Sequence, residues 1–133
     1  MRVFSSRFLT PATLLGLALS LASPSALATR QITDQLGRQV TLPDQVDRVV
    51  VLQHQTLNLL VQLDATRDIV GVLNNWQQQL GSGYVRLAPE LAKTPVVGDL
   101  TSVNLESVVA LHPQVVFVTN YAPQEMIDQI SQT

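Results

Sequence analysis

The chain has 133 residues, about one domain's length, with 8 basic and 10 acidic residues and a formal net charge of −2. That balance lacks the basic footprint of a nucleic-acid binder, and 46% hydrophobic with only 14% charged residues excludes long disordered tracts. There is no cysteine, so disulfides, Cys-zinc sites, thiol nucleophiles and lipid anchoring through an N-terminal cysteine are excluded.

The N-terminus has three parts. Arg2 and Arg7 precede an apolar stretch from Phe8 to Ala22, and Ala26-Leu27-Ala28 supplies the small-x-small pattern that signal peptidase reads. A membrane anchor is the competing assignment. Fifteen helical residues rise only about 22 Å, short of the roughly 30 Å hydrocarbon core, and Pro11 interrupts the stretch. The pattern therefore predicts a signal peptide over 1–28, cleaved after Ala28, and a free periplasmic product. The separated arginines do not make a twin-arginine signal. Cleavage leaves 105 residues with six basic and ten acidic side chains, a net charge of −4, enough for one modest core. No solenoid-period repeat is present.

In chain order, Ile32-Thr33 and Gln39 to Leu42 flank Asp34-Gln35-Leu36-Gly37-Arg38, a predicted hairpin in which Gly37 takes the positive φ and which Pro43 ends. Val49 to Leu52, Ile69 to Leu73 and Val115 to Val118 are continuous β-branched runs without alternation, as in parallel strands covered on both faces. Between them the spacing predicts a helix capped by Thr56 with Leu57, Leu60 and Leu63 inward. A second is capped by Asn104 with Leu105, Val108 and Val109 inward, and stopped by Pro113. A third starts near Pro123 with Met126, Ile127 and Ile130 inward. This alternation predicts an α/β fold: a three-layer Rossmann-like lobe with a mostly parallel sheet and an N-terminal β-hairpin.

Ligands of open α/β sheets gather beyond the carboxyl ends of the strands. Three polar tips lie there: Gln53-His54-Gln55, Asn74-Asn75-Trp76 and Thr119-Asn120-Tyr121. The connection from Asn74 to Pro95, with Gly81-Ser82-Gly83 inside it, is long enough to suggest a functional rim.

The residues then carry a family resemblance. Ile32-Thr33-Asp34-x-Leu36-Gly37-Arg38-x-Val40-Thr41-Leu42-Pro43, Arg48-Val49-Val50 and Ile69-Val70-Gly71-Val72 resemble the start of periplasmic binding proteins for iron complexes and cobalamin. Val97-Gly98-Asp99 and Asn104-Leu105-Glu106-x-Val108-x-Ala110-Leu111-x-Pro113-x-Val115-Val116 extend the likeness over nearly all of 31–131. The resemblance implies a monomeric substrate-binding subunit of an ABC importer. Such a subunit hands a ferric siderophore, haem or cobalamin to an inner-membrane permease, and needs no cofactor or metal of its own. It also implies a two-lobed protein, of which 29–133 is the first lobe and the second is absent, so this chain alone is expected to bind weakly. Asp64 stands where the family has glycine, and aspartate tolerates the left-handed conformation better than most residues.

The expected ligand-binding residues are His54, Gln55, Trp76 and Tyr121. His54 suits a hydrogen bond to a chelate or, with no Cys or acidic partner nearby, more weakly a metal; its bland role is helix entry. Trp76 offers a flat π-surface for a corrin, porphyrin or catecholate, or else a lid over the sheet edge. Tyr121 offers a phenol to the ligand or to haem iron, or packs at the mouth. Glu106, by the resemblance, pairs with an arginine of the permease; a favourable charge near a helix N-terminus explains it equally. Arg67, Asp68 and Arg86 read as solvated surface and His112 as structural. There is no Gly-x-Ser-x-Gly elbow, phosphate loop or dinucleotide fingerprint, so the expectation is no enzyme. The alternatives are a one-lobed adaptor or inert remnant, and a hydrolase of unrecognised type.

Overall fold

The computed structural model describes residues 29–132; the signal-peptide assignment for 1–28 lies outside the described residues. The chain opens with an antiparallel hairpin of β1 (Thr29–Thr33) and β2 (Gln39–Pro43). Asp34 builds its turn. Its Oδ1 accepts from the backbone N–H groups of Leu36 and Arg38, both at 2.9 Å, and its Oδ2 from Arg38 Nε at 2.6 Å. Gly37 closes the turn at φ +77°, the left-handed conformation expected of it.

Strand β3 (Val49–Leu52) is fully buried and lies at the centre of a parallel sheet, between β4 (Ile69–Val72) and β7 (Val115–Val118). Residues 95–97 run beside β4 as well, with Val72 N–H donating to Pro95 O and Val97 N–H to Val72 O, each at 3.0 Å. Period-two alternation sends Val49 and Val51 to one face, and Val50 and Leu52 to the other. Helix α1 (His54–Gln62) covers the first face through Leu57. It is joined by the short α2 (Trp76–Leu80), α3 (Gly83–Leu87) and a 3₁₀ turn (Pro89–Lys93) that buries Leu91. Helices α4 (Leu105–Ala110) and α5 (Gln124–Ser131) cover the second face through Val108 and Ile130. The three layers and the parallel sheet are those read from the sequence.

From β3 the chain runs through α1 to β4 on one side, and later through α4 to β7 on the other side of β3, with α1 and α4 on opposite faces of the sheet. That arrangement opens a crevice at the carboxyl end of β3, the place where such sheets take ligands.

Several local expectations need correction. Helix α1 starts at His54 with Gln53 as its N-cap and no side-chain cap; Thr56 sits inside the first turn and donates its hydroxyl to Gln53 Oε1 at 2.7 Å. Leu63 is 73% exposed, because six residues turn a helix about 600° and carry it some 120° away from Leu57. Val109 is exposed too, since it lies about 100° from the buried Val108. Asn104 does cap α4, accepting from Ser107 N–H at 2.9 Å. The sequence reading also missed α2, α3 and the small hairpin of β5 (Gly98–Asp99) and β6 (Ser102–Val103).

Left-handed residues close two of the helices. Asp64 (φ 60°) follows α1, as its place in the family pattern implied, and His112 (φ 46°) follows α4. Beyond α4 the Arg48 guanidinium donates to the carbonyls of Leu111 and His112, placing a cation on the negative end of the helix. His112 therefore has the structural role expected of it.

Candidate functional site

The crevice is an open cleft of about 500 Å³ at the carboxyl tips of β3, β4 and β7. Gln53, His54 and Gln55 enter from the β3 tip, Leu73, Asn74 and Asn75 from the β4 tip, and Thr119 and Tyr121 from the β7 tip. Gln79 of α2 and Asp99-Leu100 of the small hairpin complete the wall. Each parallel strand ends where its chain turns into a helix or loop, so all three tips deliver side chains to one place.

The polar part of the lining is mostly neutral hydrogen-bonding groups, beside the apolar Leu73 and Leu100. Amides, an imidazole, a hydroxyl and a phenol dominate, and Asp99 is the one carboxylate among the described lining residues. The amino terminus of α1 opens into the cleft. Its first-turn N–H groups lack intrahelical acceptors, no side chain caps them, and no acid stands in that turn. Its dipole therefore presents a partial positive charge to whatever occupies the cleft.

His54 begins that helix half-buried, and burial holds its imidazole below the usual histidine value, so it is neutral at pH 7. Asp99 accepts from Thr101 Oγ1 at 2.7 Å, Thr101 N–H at 2.8 Å and Ser102 N–H at 2.9 Å, all at Oδ1. Those bonds, the Thr101 hydroxyl first, hold its carboxyl below the ordinary range and keep it ionised. Thr119 is buried, with its Oγ1 accepting from Tyr121 N–H at 3.3 Å. Asn74 is positioned by its backbone, which donates to Gly98 O at 2.8 Å, yet its side-chain Oδ1 is buried with no hydrogen-bond partner. A buried polar atom without a partner costs about 1–3 kcal/mol and is the kind of group a ligand satisfies.

Of the expected ligand-binding residues, His54, Gln55 and Tyr121 come together in the cleft; Tyr121 is 84% exposed at its mouth. Trp76 does not join them. It is 4% exposed, packed in the core with Val49, Leu57 and Leu91, so its ring offers no face to the cleft. The turn at Asn75 (φ 57°) directs the chain so that Trp76 goes beneath α1. Glu106 stands exposed in the first turn of α4 and is not among the lining residues of the cleft. Asn74, Gln79, Asp99 and Thr119 were missed as site residues. Strand-tip position pointed to Asn74 and Thr119, whereas nothing local marked Gln79 or Asp99.

Among the described residues no group of three or more His, Asp or Glu side chains is arranged to hold a metal ion, and no helix is long and apolar enough to cross a membrane.

No family model matches the chain. It is similar to the molybdate-binding protein MolA of Haemophilus influenzae, with 67% identity over 118 residues that cover 89% of this chain and 34% of that protein. The solved structure of MolA bound to molybdate, the cognate periplasmic binding protein of an ABC transporter, matches 77% of this chain and 32% of its own at a TM-score of 0.73 and 69% identity. Staphylococcus aureus SirA complexed with staphyloferrin B matches 78% of this chain and 34% of its own, at a TM-score of 0.66 and 25% identity. The haem-binding protein HmuT matches 79% of this chain and 32% of its own, at 0.61 and 29%. The chain thus spans about a third of the length of these relatives.

Proposed function

We propose that this chain is the first lobe of a periplasmic substrate-binding protein that captures a tetrahedral oxyanion, molybdate above all, for an ABC importer. The observation that carries the reading is the 67% identity to a molybdate-binding protein. The ligand expectation accordingly moves from iron chelates, haem and cobalamin to a small oxyanion.

The cleft chemistry supports the move. A corrin or porphyrin needs a broad apolar face, and the one tryptophan that could supply it lies in the core. A small oxyanion needs convergent donors instead. The α1 amino terminus, the amides of Gln53, Gln55 and Gln79, the His54 imidazole and the Tyr121 phenol are such donors. In this reading the chain binds and releases its ligand unchanged, as a transport component and not as an enzyme. Its partner is an inner-membrane permease, toward which the exposed Glu106 offers a carboxylate.

The test is a titration of the isotope-labelled chain with molybdate, tungstate, sulfate, a ferric siderophore, haemin and cyanocobalamin. Molybdate is expected to shift the backbone amides of His54 and Gln55 and to saturate. Saturable binding of a ferric chelate, haemin or cobalamin at the same amides, with molybdate inert, refutes the proposal.

A further inference from the structure

A charged ligand in the cleft needs compensating charge, and His54 is the described lining residue that can supply it near neutral pH. Resting on the oxyanion reading above, we propose that His54 sets the charge preference of the cleft. Its imidazole takes up one proton as a dianionic tetrahedral oxyanion seats at the amino terminus of α1, so doubly charged oxyanions are favoured over singly charged ones of the same shape.

A dianion brought into a half-enclosed cleft loses water and must find compensating positive charge. The α1 terminus contributes only about half an elementary charge. The described lining holds no lysine or arginine, and Asp99 adds a negative charge of its own. Histidine is the side chain whose charge changes near neutral pH, and His54 is placed in the first turn of the helix that faces the ligand.

Burial holds that imidazole below its ordinary value, and its place at the positive end of the α1 dipole disfavours a cation in the same sense. No acidic residue stands in the first turn of α1, and α2 and β3, the elements packed most closely on α1, carry no titratable side chain. The other titratable groups of the cleft are Asp99, held ionised by Thr101 and Ser102, and the Tyr121 phenol. The Thr101 and Ser102 bonds keep Asp99 ionised through neutrality. Among the described lining residues a seated dianion therefore acts first on His54, since a nearby opposite charge favours the imidazolium.

The measurement is the His54 imidazole titration by nuclear magnetic resonance on the isotope-labelled chain, with His112 as internal control. It is run with no added oxyanion, with molybdate, and with perrhenate, a tetrahedral monoanion, at matched ionic strength in chloride. Molybdate is expected to raise the His54 pKa, perrhenate to raise it less, and chloride to leave it where it was. By linkage, molybdate binding tightens by up to tenfold for each unit of pH lost as pH falls from the raised pKa of the bound state to the lowered one of the free chain. His54→Gln keeps a neutral donor at the site and is expected to bind with no such pH dependence and a smaller preference for molybdate over perrhenate. If molybdate shifts the amides of residues 54–56 while the His54 pKa stays fixed or falls, the proton-uptake proposal is overturned and the oxyanion reading stands. Equal effects of molybdate and perrhenate overturn the charge preference. If molybdate moves no cleft resonance, both fall.

Discussion

Gly98 joins the fold to the site, and Gly98→Ala tests that junction. Gly98 sits at φ +119°, and a Cβ there would overlap the carbonyl oxygen of Ser102 and lie 3.0 Å from Val103 Cα and 3.2 Å from Asn104 N. All three are backbone atoms, so relief requires moving the β5–β6 hairpin itself. A sparsely allowed φ costs roughly 1–3 kcal/mol for an L-residue. Displacing the hairpin strains two more bonds, Asn74 N–H to Gly98 O and Asn104 N–H to Val97 O, both 2.8 Å and each worth about 1 kcal/mol. The expected loss is about 3–5 kcal/mol, among the larger effects of a single substitution. Gly37→Ala is the control. It has positive φ but nothing within 4 Å of the added Cβ, so it should lose only about 1–2 kcal/mol. Urea unfolding followed by the fluorescence of Trp76, the sole tryptophan, measures both. Equal losses for the two variants would refute the steric argument.

Trp76→Ala should destabilise the chain by about 3–5 kcal/mol by opening a cavity in the core beneath α1, while Tyr121→Ala should change stability by less than about 0.5 kcal/mol and weaken molybdate binding. Urea unfolding followed by far-ultraviolet circular dichroism, which does not depend on the indole, separates the two when paired with the anion titration. Asn104→Ala removes the acceptor for Ser107 N–H and should cost about 1 kcal/mol, read as a lower urea midpoint with unchanged slope. Asp34 is held below its ordinary value of 3.8, first by the Arg38 backbone N–H, so the unfolded chain takes the proton before the folded one. Its contribution is complete above that ordinary value and is lost as pH falls through the lower folded one. Thermal melts of Asp34→Asn should lack this acid-side dependence.

The sheet was legible because each of its strands is a self-contained signal. Val49 to Leu52 and Val115 to Val118 are apolar runs bounded by polar residues; the central β3 is buried on both faces as expected, whereas β7, paired on one side among the described strands, is only partly covered and leaves Phe117 exposed. Helix faces were legible only to the accuracy of the spacing. Steps of three drift by about 60° each, which is why Leu57 is inward and Leu63 is not. The rim from Asn74 to Pro95 resisted for another reason. Its helices α2 and α3 have five residues each, too few for a 3.6-residue period to show, and the three glutamines of α2 mask its one buried anchor.

The site divides along the same line. Strand tips are fixed by the sheet, so His54, Gln55 and Tyr121 could be assigned to the cleft from sequence, whereas Gln79 and Asp99 reach it through elements that pack from elsewhere. Trp76 shows why ligand identity was harder still. Its place next to a strand tip suggested an aromatic platform, and the single left-handed residue Asn75 sends it inward instead. That turn puts Asn74 and Asn75 on the cleft and the indole in the core, so one backbone conformation both removes an aromatic surface from the cleft and adds amides to its lining. The motifs behind the family resemblance are mostly scaffold: turn residues, strand valines, a helix cap. They fix where a ligand sits. What sits there depends on a few polar side chains at the tips, which the scaffold leaves free to vary.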